Sequence, residues 1–282
     1  MEPIEFWKMS GTGNDFILID NRQGLVKEDD MSRLVSRSCR RRESVGADGV
    51  IFVMDSKEYD FGWRFFNADG GEVEMCGNGG RCVSRFAYLK GIAGSEMTFE
   101  TRVGPISARV EGRVVKVLMP EPQNETMDVD LALLPGWVSC DFVNTGVPHV
   151  VVQVADLENH PIIEQGREIR YHERFSPEGT NANFMTIRGP DELAVRTYER
   201  GVEDETLACG TGAIASALMG YRRGMVSSPV KVHTQGGEIL TVHLNSGGIG
   251  ERTGERVWLQ GNTSVIYMAT LHDEAILTSG VF

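Results

Sequence analysis

The chain lacks any apolar run approaching the roughly 18 residues that mark a membrane-spanning helix, so no membrane segment is expected. Its first residues, MEPIEFWKMSGTGNDF, lack the basic start and apolar stretch of a secretory signal, and none is expected. Cysteine is scarce: Cys39, Cys76, Cys82, Cys140 and Cys209 form an odd, dispersed set that reads as reduced thiols in the cytoplasm. There is no CxxC, HxxxH or HExxH, so no metal site is expected. Positive charge is in deficit, with 28 Lys and Arg against 40 Asp and Glu and a net charge of −12. That balance argues against a broad phosphate-binding surface, and no nucleic-acid partner is expected. It is silent on a small charged substrate, because a local pocket can oppose the global sign. What remains is a globular chain, 282 residues long with 41% apolar and 24% charged residues, large enough for two domains.

Helical patterns are also few. One is expected over Glu28 to Arg42, opened by Glu28-Asp29-Asp30 and closed by basic residues, which suits the helix dipole. A second is expected from Gly77 to Lys90, stopping at Gly91, and a third from Gly210 to Arg223, stopping at Gly224. Short β-rich runs fill the rest, among them FILID, GVIFVM, FGWRFF, VVVQV, ELAVRTY and ILTVHL. The alternation in Val230-Lys231-Val232-His233 fits a half-buried antiparallel sheet.

The informative feature is an internal echo. CGNGGRCVSRFAYLKG begins at Cys76 and CGTGAIASALMGYRRG at Cys209, 133 residues later (209 − 76) and close to half the chain. Each is Cys-Gly-x-Gly, a helix, a basic end and a glycine. An Asn-Ala pair precedes each, in FFNADGGEVEM and in TNANFMTI. The chain therefore reads as an α+β protein of two similar halves, each a sheet around one helix.

Cysteine at a helix start has a chemical use. A thiol ionises near pH 8.5, roughly, and the positive end of a helix favours the thiolate. The N–H groups of the first turn have no partner inside the helix and can bind a carboxylate. Two such starts facing each other would hold one carboxylate between them and place its α-carbon between two sulfurs. One thiolate could then remove the α-proton while the other thiol protonates the opposite face, with fixed dipoles stabilising the carbanion-like state. Such a site needs no pyridoxal. No cofactor fingerprint occurs, although motif spacing does not speak to a pyridoxal-binding lysine. GTGNDF at Gly11 lacks the third glycine of a dinucleotide loop, and neither cysteine motif has the Gly-Lys-Ser/Thr of a phosphate loop. A thiol hydrolase using Cys76 and His149 is the rival enzyme class, and a non-catalytic amino-acid binder the rival outside catalysis.

Across almost its whole length the sequence resembles diaminopimelate epimerase, in KMSGTGNDFILID, SVGADGVIF, FFNADGGEVEMCGNGGRC, GVPHVVV, TNANFM and YERGVEDETLACGTGA. The resemblance implies two pseudo-symmetric α+β domains, each a mostly antiparallel sheet wrapped around a central helix. These are expected over residues 1–120, completed by 269–282, and over 121–268. It further implies cofactor-independent epimerisation of LL-2,6-diaminopimelate to the meso form in lysine and peptidoglycan precursor synthesis, a cytoplasmic location and a homodimer. Cys76 and Cys209 correspond to the paired acid and base. Gly77, Asn78, Gly210 and Thr211 would present N–H groups to the reacting carboxylate, and Asn14, Asn67 and Asn181 resemble polar anchors. Glu199 and Arg200 would take the ammonium and the distal carboxylate, for which a guanidinium is suited. His149 and Glu199 resemble groups that assist proton exchange by the thiols. Two residues depart from the pattern: Val147 where some members have Asn, and Gly49 where some have Gln. Each removes a potential substrate contact, which leaves a racemase of another amino acid, such as histidine, as an alternative on the same fold.

Plainer roles stand beside these. Cys39, Cys82 and Cys140 are expected to pack, Asn14 could serve as a turn former, and His149 could be structural. Arg200 could pair with Glu203-Asp204-Glu205. Arg40-Arg41-Arg42 reads as a solvated helix end.

Overall fold

A computed structural model of the chain describes residues 3–131, 136–245 and 256–275. The chain divides into two compact units, Met1–Val117 with Asn262–Phe282, and Leu118–Gly261. Of the stretch 269–282 expected to complete the first half, residues 276–282 lie outside the described residues.

The first unit runs β1 (Ile4–Gly11), β2 (Asn14–Asp20), α1 (Glu28–Ser38), β3 (Gly49–Met54), β4 (Phe61–Asn67), β5 (Glu72–Val73), α2 (Gly77–Leu89), β6 (Glu96–Thr101), β7 (Gly104–Glu111) and β8 (Val114–Met119). The second runs β9 (Gln123–Thr126), β10 (Trp137–Asn144), β11 (Pro148–Val154), α3 (Ile162–Arg170), β12 (Asn181–Gly189), β13 (Glu192–Glu199), β14 (Asp204–Thr206), α4 (Gly210–Arg222), β15 (Val230–His233), β16 (Ile239–Asn245) and β17 (Arg256–Asn262). Strand β18 (Ser264–Leu271) then pairs with β1 of the first unit.

Strand pairing repeats step for step. In the first unit the path is β18–β1–β2–β3–β4–β6–β7–β8, antiparallel except for the β2–β3 and β4–β6 steps, with β5 also on β4. In the second it is β9–β10–β11–β12–β13–β15–β16–β17, antiparallel except for β11–β12 and β13–β15, with β14 on β13. A parallel step requires a crossover. Helices α1 and α2 lie in the first unit's crossovers, and α3 and α4 in the second's. The fold is thus α+β with two pseudo-symmetric units.

Each sheet curls around its second helix. Helix α2 packs on β1, β2, β3 and β7, and α4 on β10 to β13, β15 and β16. Glycine and alanine at their starts allow this close approach, and residues 77–84 of α2 and 212–220 of α4 are buried. The outer faces are covered by α1 and α3. Met31, Leu34 and Val35 of α1 pack with Val50, Phe52 and Phe66, while Ile162 and Ile169 of α3 pack with Val150, Val152 and Phe184. Alternation holds in β15, but β3 and β11 are apolar on both faces because a helix lies on each side.

One helix expectation changes, and one helix is additional. Helix α1 stops at Ser38, four residues early, and Arg41 turns back to pair with Asp15 at 2.6 Å and Asp48 at 3.0 Å. That arginine is therefore an ion-pair partner within the unit. Helix α3 was not expected, and Gly166 at its centre is a poor helix former. The glycine is needed there: a Cβ would lie 2.4 Å from Cβ of Tyr198 on β13.

Candidate active site: two cysteine-capped helix starts

Cys76 is the N-cap of α2, with extended backbone (φ −147°, ψ 118°), and Cys209 the N-cap of α4 (φ −112°, ψ 113°). Each sulfur accepts an N–H from the third residue onward, Gly79 at 3.4 Å and Gly212 at 3.4 Å. Sulfur here fills the place usually taken by a Ser, Thr, Asp or Asn oxygen. An acceptor so placed gains from negative charge, which is the setting that favours a thiolate. The thiols of Cys39 and Cys140 are different. Both are buried in the outer cores, and burial pushes each up to about 12, so they pack and stay protonated. Cys82 is fully buried too, as its position on α2 predicts.

Around α2 the polar side chains form one network. Asn78 donates through its amide to Oδ1 of Asn14, and Asn14 donates to Asp48 at 3.1 Å. Arg81, fully buried, donates to Oδ1 of Asn78 at 2.9 Å and to Thr12 at 2.6 Å. Asp48 and Asp15 are bridged by Arg41, and Asp15 also meets Lys8 at 2.8 Å. Burial opposes ionisation of Asp15, but hydrogen bonds from Arg41 and Lys8 outweigh it and hold its pKa below the usual carboxylate value. Asn14 is thus more than a turn former, since it ties β2 to the first turn of α2. Asn67 ends β4 in an exposed turn, its N–H bonded to the Gly71 carbonyl at 2.9 Å. A Gln at position 49 would force its surroundings to shift, because a Cβ would lie 2.5 Å from the Phe66 carbonyl oxygen and 2.7 Å from the Phe65 ring.

The second unit gathers the remaining residues. Asn181 accepts the Arg200 N–H at 2.8 Å and donates to the Pro148 carbonyl at 2.9 Å, so it joins the residue before His149 to the Glu199–Arg200 corner. Glu199 accepts from Thr206 at 2.9 Å, three residues before Cys209. Thr211 lies with its hydroxyl 3.5 Å from the Cys209 sulfur, and Thr145 donates to the Thr211 carbonyl at 3.0 Å. The acids beside Arg200 are committed elsewhere: Glu203 pairs with Arg170 at 3.0 Å and Glu205 with Arg196 at 2.7 Å. Among the described residues Arg200 has no carboxylate partner; its guanidinium donates to the Glu178 carbonyl at 3.3 Å. His149 is fully buried, and burial, then the positive charge of Arg200, pushes it down to about 3; its Nδ1 lies 3.0 Å from the Asn183 amide nitrogen. Sequence reasoning missed Thr145, Asn183, Thr197, Arg81 and Asp48. Only the Asn-Ala-Asn of TNANF and the Asp of GADG carried any signal for them.

Comparison with known proteins agrees with this duplicated arrangement. A family model described as diaminopimelate epimerase matches residues 6–124 and 142–259. Diaminopimelate epimerase of Aquifex aeolicus is 45% identical over 97% of this chain and 99% of its own, and that of Chlorobaculum tepidum is 43% identical over 93% and 99%. Among solved structures, a phenazine biosynthesis protein of the PhzF family from Bacillus anthracis superposes with a TM-score of 0.72. It is 17% identical and covers 96% of this chain and 100% of its own, a likeness of fold alone. Family match, identity and the repeated strand order agree: the chain belongs to the diaminopimelate epimerase family and is an amino-acid isomerase.

Proposed function

We propose that the chain interconverts LL- and meso-2,6-diaminopimelate without a cofactor, using Cys76 and Cys209 as the paired base and acid. The observation that carries this reading is the N-capping cysteine at the same topological position in both units. One thiolate takes the α-hydrogen, so the C–H bond breaks and an S–H bond forms. The electron pair passes into the carboxylate, where first-turn N–H groups of Gly77, Asn78, Gly210 and Thr211 stabilise the added charge. The second thiol delivers its proton to the opposite face of the same carbon. Asn14, Asn67 and Asn181 serve as polar anchors for the substrate, Glu199 takes an ammonium, and His149 and Glu199 assist the thiols. Arg200, with no carboxylate partner among the described residues, favours a substrate with a distal carboxylate over histidine.

Incubating LL-diaminopimelate with the protein in heavy water tests the reading. Deuterium should enter the α-position as the meso isomer forms, and Cys76→Ala and Cys209→Ala should each abolish turnover. Inversion without solvent exchange, or full activity in Cys209→Ala as a Cys76–His149 hydrolase would retain, overturns it.

The product would serve lysine and peptidoglycan precursor synthesis, and the five thiols fit a reducing cytoplasm. A homodimer through β18 belongs to the same reading, because Ile266, Tyr267 and Met268 are 55%, 42% and 60% exposed in succession. Sedimentation of wild type and Met268→Glu should give dimer and monomer; two identical species would exclude that surface.

A further inference from the structure

The duplication allows the layer beneath each cysteine turn to be compared residue by residue. A Cβ on Gly79 would meet Ile51 at 3.2 Å, and a Cβ on Gly212 would meet Oδ1 of Asn183 at 2.2 Å, so Ile51 and Asn183 occupy equivalent places. Strand register extends the match. In the first unit Phe16 stands opposite Gly49, and Ile51 opposite Phe65. In the second His149 stands opposite Asn181, and Asn183 opposite Thr197. The apolar set Phe16–Ile51–Phe65 is thus replaced by His149–Asn183–Thr197, and all six are buried.

Three polar groups in place of an apolar layer cost desolvation unless they satisfy one another. Here the bonding pattern also fixes the direction of every bond. The Asn183 amide nitrogen lies 2.9 Å from the Val150 carbonyl oxygen and 3.0 Å from Nδ1 of His149. Were that amide turned over, two carbonyl oxygens would confront each other, so the atom is N–H and donates to both. Thr197 donates to the amide oxygen at 3.0 Å, which holds the same orientation from the other side. Nδ1 is therefore an acceptor, and the proton of the neutral ring lies on Nε2. Nε2 is buried and has no hydrogen-bond partner among the described residues.

We propose that Asn183, held by Thr197, is a positioning residue that fixes His149 as the Nε2–H tautomer, so that His149 offers its partner a proton-bearing nitrogen and not a base. The second unit's histidine then stabilises a thiolate or a substrate oxygen by donating a hydrogen bond, while the matching place in the first unit, Phe16, can donate nothing. This rests on the epimerase reading for its catalytic consequence but not for the tautomer itself.

Nitrogen NMR of protein labelled with ¹⁵N-histidine tests it, with His149 assigned by difference from His149→Gln. The expected His149 signature is an unprotonated Nδ1 and a protonated Nε2. Asn183→Asp replaces the donor with an acceptor and should move the proton to Nδ1. In that variant kcat should fall by roughly 100-fold, the scale of one lost positioned hydrogen-bond donor, with KM unchanged. Thr197→Val should lower kcat and Thr197→Ser restore it. Thr197→Val also serves if Asn183→Asp fails to fold. Wild-type His149 protonated on Nδ1, or wild-type kcat in a folded Asn183→Asp whose tautomer has moved, overturns the proposal. Absence of α-hydrogen exchange in a wild type with the expected tautomer would instead overturn the epimerase reading and leave the tautomer assignment standing.

Discussion

Replacing His149 with Gln should make the protein less sensitive to acid. In the folded chain burial, reinforced by Arg200, lowers the histidine from 6.5 to about 3. Between those values the unfolded chain binds a proton that the folded chain refuses, so stability falls as pH falls through that window and is fully retained above it. At pH 5 the loss from this one residue is RT ln(1 + 10^1.5), or about 2 kcal/mol. That figure depends almost wholly on the unfolded value, because the folded ring is uncharged at pH 5. Below pH 3 the loss reaches a ceiling of about 5 kcal/mol, at 1.36 kcal/mol per pH unit. Urea titrations at pH 7.5 and pH 5.0, on wild type and His149→Gln, isolate the term as a difference of differences. Other groups, including His160, cancel between the proteins. Glutamine keeps an acceptor for the Asn183 amide and carries no titrating group. Wild type should lose about 2 kcal/mol more than the variant across the interval. Equal losses, to within about 0.5 kcal/mol, would show that His149 is protonated in the folded protein or reached by solvent, and the burial argument would fail.

Other consequences are separately measurable. Iodoacetamide at pH 8 should label Cys76 and Cys209 and leave Cys39 and Cys140 unmodified, because burial pushes the latter two up to about 12; mass spectrometry of the labelled peptides decides. Arg200→Lys should raise KM for diaminopimelate at least about tenfold through loss of a bidentate grip, with a smaller effect on kcat, and steady-state kinetics separates the two. Gly49→Ala should destabilise by about 2 kcal/mol, since the added carbon meets a backbone carbonyl as well as the Phe65 ring, and thermal unfolding reads the loss.

What was legible in the sequence follows from where the signal is local. Helices α2 and α4 begin within the Cys-Gly-x-Gly motifs and end beside Gly91 and Gly224, so their bounds come within one residue of expectation. A cap, a small-residue turn and a terminal glycine are all neighbours along the chain. Helix α1 was overrun because three arginines suit a helix C-terminus as well as they suit a loop, and the choice is made by Asp15 and Asp48, remote in sequence. Helix α3 was hidden because its central glycine is explained only by Tyr198 on another element. The same limit applies to the site. Cys76 and Cys209 announce themselves by repetition, whereas the Thr197–Asn183–His149 chain depends on strand register, which no local pattern encodes.

The duplication also explains why the two half-sites should differ. A shared strand order supplies equal helix starts, which suits a reacting carbon approached from two faces. The proposed substrate is not symmetric about that carbon, for only one substituent carries a distal carboxylate and ammonium. Side chains that recognise it must therefore come unequally from the repeat. Equivalent places do carry different side chains: Asn14 matches Val147, Gly11 matches Thr145, and Asn67 at the end of β4 matches Glu199 at the end of β13. The backbone scaffold keeps its symmetry because both helix starts carry the same cysteine cap, while the residues proposed to hold the asymmetric substituent, and the histidine, have diverged. A variant carrying the first unit's apolar set, His149→Phe with Asn183→Ile and Thr197→Phe, should therefore fold around α4 as the first unit does around α2. It should retain the cysteine cap, which iodoacetamide labelling of Cys209 would report, and lose turnover. Wild-type turnover in that folded variant would mean that the polar layer has no part in the reaction.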